Sequence, residues 1–174
     1  MKLRKEIEPD FETAEKLYPD VLKLISEYAA YCDEHGDEGC VEYKNLENKL
    51  HRITGKDMSL FNLWEWWEGS GAENLAFDIC LPDPYKVEHL TKSELAEVVK
   101  RMKTFEIPDL EDESFRSLFY NYTCFGSDYY PGFLKANCKA YNISLFQRHK
   151  NKDGEYFEYS EEDITDHLWN GGMI

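Results

Sequence analysis

The chain has 174 residues, with 35 Asp and Glu against 20 Lys and Arg, a formal net charge of −15. That length suffices for one domain with a sizeable core, and an aromatic content of 15% excludes a disordered acidic tail. A surface this negative opposes nucleic-acid phosphate and anionic membranes and attracts basic proteins or cations, so neither direct nucleic-acid binding nor a membrane partner is expected.

No basic stretch leads into an apolar one at the start of the sequence, and no apolar run approaches the ~20 residues of a membrane span. The expected compartment is the cytoplasm. Cys32, Cys40, Cys80, Cys124 and Cys138 are odd in number and irregularly spaced, which suits reduced thiols better than a disulfide framework.

The first thirty-odd residues read as helix broken at Pro19, with a new helix starting there because proline fits a first turn. In that second helix Val21, Leu24, Ile25, Tyr28 and Cys32 share one face, and Gly36 can end it. Tyr43, Leu46, Leu50 and Ile53 repeat the pattern up to Gly55, with Glu42 in the first turn. Ser59 is placed to cap a short helix carrying Leu60, Leu63, Trp64 and Trp67 on one face, with Trp66 off it and Gly69 at its end.

Leu75, Phe77, Ile79 and Leu81 alternate with Ala76, Asp78 and Cys80 before Pro82 and Pro84, the pattern of a central strand over about 75–81. Thr91 with Glu94 forms a capping box, and Leu90 with Leu95 a hydrophobic staple, at the head of a helix that continues through Val98, Val99 and Met102. The acidic stretch around Pro108 reads as a solvated linker into a helix with Phe115, Leu118, Phe119 and Tyr122 on one face, closed by Gly126. Another helix starts near Pro131. Residues 143–149 and 155–159 then read as a hairpin around Asn151-Lys152-Asp153-Gly154, and Ser160 caps a last helix ended by Gly171-Gly172. The fold expected is one α+β domain over residues 1–174, mainly helical, with a small antiparallel sheet made from the central strand and the C-terminal hairpin at about 143–159.

Motifs for phosphate cradling, dinucleotide binding, the hydrolase nucleophile elbow and helical zinc proteolysis are all lacking from the sequence. Cys32-x2-His35-x4-Cys40 has spacing that could close on a zinc ion. It lacks a local fourth ligand, and the ordinary reading is a helix-end histidine beside a core cysteine, so no metal or other cofactor is expected. Pro19-Asp20 with Glu42-x-Lys44 matches a nuclease pattern on paper, but these residues sit at helix starts where acids are commonplace. Asp78, Asp83, Glu88 and His89 could assemble a carboxylate/histidine site for a small hydrolase; the ordinary reading is the polar face and flank of a strand.

Charge placement is the stronger functional signal. Seven acids lie between Asp153 and Asp166, whereas residues 129–152 contain no acid and five Lys or Arg. An acidic surface beside exposed aromatic residues would steer in and anchor a basic protein. The sequence therefore favours a binding protein over an enzyme: a module that neutralises a basic partner, such as an immunity or antitoxin-type inhibitor of a nuclease. Its contact candidates are Glu106, Asp109, Glu111, Asp112, Glu155, Glu158, Glu161, Glu162 and Asp163, with Trp66 and Trp169 as aromatic anchors. No residue is singled out as catalytic under that reading.

Overall fold

The computed structural model describes residues 1–65, 69, 71–105 and 114–174. Among them are seven α-helices and one two-stranded antiparallel sheet, as expected of a mainly helical α+β chain. No helix among the described residues is long and apolar enough to cross a membrane. The chain gathers into two compact units, one formed by residues 10–82 and the other by residues 1–9 together with 83–174.

The unit of residues 10–82 is built on α1 (Phe11–His35), α2 (Val41–Thr54) and α3 (Ala72–Cys80). Asp10 caps α1 by accepting from the Thr13 N–H at 3.0 Å, and the helix runs unbroken through Pro19 to Gly36. The break expected at Pro19 is thus absent. Pro19 is exposed, and the one hydrogen bond lost there is outweighed by the face that α1 buries on both sides of it: Phe11 and Ala14 before, Val21, Ile25 and Tyr28 after. Phe11 meets Phe77 of α3 with ring centroids 5.9 Å apart.

The segment expected as a central strand is helix α3. Leu75, Ala76, Ile79 and Cys80 are buried, following Ala72 at i+3, i+4, i+7 and i+8, so the helical period accounts for them as well as alternation does. Leu81 ends the helix because a residue before proline is pushed out of the helical region, and its ψ is 120°. A second departure lies at Ser59. Asp57 rather than Ser59 is the capping residue, and it begins only a single 3-10 turn, Met58–Leu60. Trp67, assigned to the longer helix expected there, lies outside the described residues.

The other unit holds α4 (Lys92–Thr104), α5 (Phe115–Phe125), α6 (Tyr129–Asn137) and α7 (Glu161–Asn170). The capping box expected from sequence, Thr91 with Glu94, is formed at α4, and the expected cap Ser160 forms a second box at α7 with Asp163, the third residue of that helix. Leu95, Val98, Val99 and Met102 of α4 are buried, as are Ile164 and Leu168 of α7, which packs beside it. The hairpin is shorter than expected. β1 (His149–Lys150) pairs with β2 (Tyr156–Phe157), and residues 143–146 turn instead into a 3-10 helix because the Asn142 side chain accepts from the Ser144 N–H at 2.9 Å.

Residues 1–9 belong to this second unit through a polar network centred on Arg101, whose side chain is 3% exposed. Arg101 donates to Glu8, to Glu97 at 3.0 Å, and to the Tyr130 hydroxyl at 3.0 Å. Arg4 pairs with Glu94 at 2.6 Å, tying the same segment to the head of α4. Burial works against the charge on Arg101, but Tyr130 and Glu8 outweigh it and raise its pKa, so the guanidinium stays protonated.

Candidate functional site

The surface built by the hairpin and α7 contains most of the described contact candidates. Period-two alternation gives the hairpin two faces. On one, Lys150 lies opposite Tyr156, and the cationic groups of Arg148 and Lys150 stand 5.8 and 5.6 Å from the Tyr156 ring centre. On the other, His149 lies opposite Phe157, and His149, Phe157 and Tyr159 form a ring cluster with centroids 5.0 to 5.5 Å apart. His149 is oriented by Nε2, 2.8 Å from the Ser144 carbonyl oxygen. Tyr156 remains 67% exposed and Phe157 41%, unusual for rings of this size on a structured turn.

The acids of this surface are not equivalent. Glu158 pairs with Lys103 at 3.0 Å and Arg148 at 3.5 Å, and these cations hold its carboxyl below the usual carboxylate range. Asp163 accepts from the Ser160 hydroxyl and N–H, which lowers its pKa and commits it to capping α7. Asp166 pairs with Lys92 at 2.6 Å. Glu155 accepts from the Asn151 side-chain amide at 3.2 Å and stays exposed at the turn.

That leaves Glu161 and Glu162, which make no ion pair among the described residues. Both line an open cleft of about 450 Å³ between α4 and α7, with Lys92, Ser93, Thr165 and Asp166. The division of charge seen in sequence is therefore partly internal: the basic stretch supplies Arg148 to Glu158, and α4 supplies Lys92 and Lys103.

Trp169 is half-buried on α7, a weaker anchor than expected. Trp66, Glu106, Asp109, Glu111 and Asp112 lie outside the described residues. Sequence reasoning missed Tyr156 and Phe157 as surface anchors. The signal was present, since strands of a two-stranded ribbon beside a tight turn have no second layer to bury both faces.

The other candidates lie on other elements. Asp78 sits on α3 of the first unit, while Asp83, Glu88 and His89 belong to the segment before α4 in the second. Glu88 and His89 are exposed. Cys32 is half-buried near the end of α1, Cys40 is exposed, and His35 stacks on Tyr31 with ring centroids 4.8 Å apart. Among the described residues, no group of three or more His, Cys, Asp or Glu side chains is placed to hold a metal ion. Asp20 and Glu42 are ordinary helix residues, within α1 and in the first turn of α2.

Comparison with protein-family models, with curated proteins and with solved structures gives no match for this chain.

Proposed function

We propose that this chain is a protein-binding module that neutralises a basic partner, in the manner of an immunity or antitoxin-type inhibitor of a nuclease. The observation that carries the reading is the exposure of Tyr156 on one face of the hairpin and of Phe157 on the other, in the same unit as Glu161 and Glu162, which make no ion pair among the described residues. Aromatic anchors supply desolvated contact area at low entropic cost, and carboxylates without internal cations keep their field for an incoming positive surface. A nuclease belongs to the partner class because its phosphate-binding cleft is positive for the same reason that nucleic acid is negative.

The test uses the full chain as bait against lysate of its source at low and high salt, beside two variants, Tyr156→Ala/Phe157→Ala and Glu161→Lys/Glu162→Lys. The reading expects one basic protein, recovered at low salt, weakened at high salt because charges beyond roughly 8 Å are screened at physiological strength, and reduced by both variants. Equal recovery by both variants would remove this surface from the proposal. Recovery of no basic protein at either salt would remove the function.

A further inference from the structure

The unit of residues 10–82 holds 16 Asp and Glu against 6 Lys and Arg, so it carries −10 of the chain's −15. It also contains a cavity of about 520 Å³, within the size range of small-molecule sites. Three independent features of that cavity favour the same ligand chemistry.

The first is aromatic. Tyr28 and Trp64 both line it, with ring centroids 6.2 Å apart and planes inclined at 65°, so they form two walls of a box rather than a stack. Tyr28 is held in place by Tyr43, whose ring lies edge-on at 5.9 Å, and its hydroxyl donates to Asp37 at 3.4 Å. Trp64 is 38% exposed, leaving ring surface available.

The second is ionic. Ala29, Cys32, Asp33 and Gly36 line the cavity at i, i+3, i+4 and i+7 of one helical face, and Asp33 is the one charged residue of the lining among the described residues. Asp33 makes no ion pair among the described residues. The small side chains on either side of it leave the volume open.

The third is the backbone. This face is the C-terminal end of the 25-residue helix α1, where carbonyl groups without intrahelical donors carry partial negative charge. Aromatic walls, a carboxylate without an ion pair among the described residues and a helix C-terminus all favour positive charge, and no Lys or Arg among the described residues lines the cavity to compete for it.

We propose that this cavity is a binding site for an organic cation: a quaternary ammonium, alkylammonium or guanidinium head group seated against Tyr28 and Trp64 and neutralised by Asp33. The site lies in the other unit from the hairpin and does not rest on the reading of that surface. Its ligand is either a free small molecule or the side chain of a basic polypeptide, which share this chemistry.

The test is calorimetric titration of the full chain with choline, tetramethylammonium and argininamide, and with 3,3-dimethylbutan-1-ol as the neutral counterpart of choline. Saturable binding of at least one cation is expected, about tenfold or more tighter than the alcohol. Asp33→Asn and Trp64→Leu should each weaken it severalfold, while circular dichroism verifies that both variants fold; Asp33 is exposed, so its variant guards against a packing defect at Trp64. Preference for choline or tetramethylammonium assigns the site to a free molecule, and preference for argininamide to a polypeptide side chain. No saturable binding of any cation at millimolar concentration, affinity for the alcohol equal to that for choline, or unchanged affinity in both variants would overturn the proposal.

Discussion

Nη1 of Arg101 donates to both carboxylate oxygens of Glu8, at 2.9 and 3.0 Å, joining residues 93 apart in sequence. Arg101 is shielded from water and surrounded by Glu8, Glu97 and Tyr130, so its removal would leave Glu8 with Arg116 and Glu97 with the N-terminal ammonium but without the cation they share. Arg101→Met is therefore expected to cost about 1–3 kcal/mol, the range for a buried polar group that loses one partner, since each carboxylate keeps a second cation. Urea unfolding measures it. A loss below about 1 kcal/mol would show that the pair contributes little.

Asp37 supplies the cap of α2 from outside the helix, accepting from the N–H groups of Val41 at 2.9 Å and Tyr43 at 2.8 Å. Partial desolvation opposes its ionisation, but the backbone donors of Tyr43, Glu42 and Val41 outweigh that and lower its pKa below 3.8. A carboxyl depressed in the folded state contributes stability above its unfolded pKa and loses it as pH falls through the folded value. Melting temperature followed from about pH 5 down to pH 2 should fall more steeply for the wild type than for Asp37→Asn. Parallel curves would contradict this role.

The five thiols divide by burial. Desolvation pushes Cys80 up to about 12 and Cys124 and Cys138 up to about 11, while Cys40 is exposed and Cys32 half-buried. A thiol-disulfide reagent at neutral pH should modify Cys40 and Cys32 in the native protein and the other three only after denaturation. Rapid native labelling of Cys80, Cys124 or Cys138, located by mass spectrometry, would contradict their burial.

Gly171 closes α7 in a space that has no room for a side chain. A Cβ there would overlap the Cβ of Ala140 and stand 3.0 Å from the His167 carbonyl oxygen. Gly171→Ala should destabilise by about 1–3 kcal/mol, and Ala140→Gly in the same chain should restore part of that loss. Thermal melting of the two variants decides it. Additive losses in the double variant would show that the two sites are not coupled.

Local chemistry was the legible part of this fold. Thr91 and Ser160 each need only a residue three positions on to complete a cap, so their signatures hold without knowledge of the tertiary structure. Residues 72–80 were ambiguous because a short apolar run satisfies both periods, and burial of Ala76 and Cys80 along with Phe77 and Ile79 is information that only packing supplies. Pro19 misled for a related reason: the rule concerns an isolated helix, whereas α1 is held by its long buried face. At the candidate surface the acids were visible but not their commitments. Nothing near Glu158 or Asp166 in sequence indicates that Lys103 and Lys92 take up their charge, since those cations come from a helix more than fifty residues away.

The short segment of residues 1–9 lies in the unit that otherwise begins at residue 83, so the chain completes that unit only after residues 10–82 have been passed over. Joining Glu8 to Arg101 from the unfolded chain means closing a long flexible loop, whose entropic cost grows with the logarithm of its length. Collapse of the inserted residues into their own core shortens that loop before closure. Early folding of the insertion is thus entropically favoured, and an ion pair that forms after the rate-limiting step would leave the folding rate of Arg101→Met near that of the wild type and raise its unfolding rate.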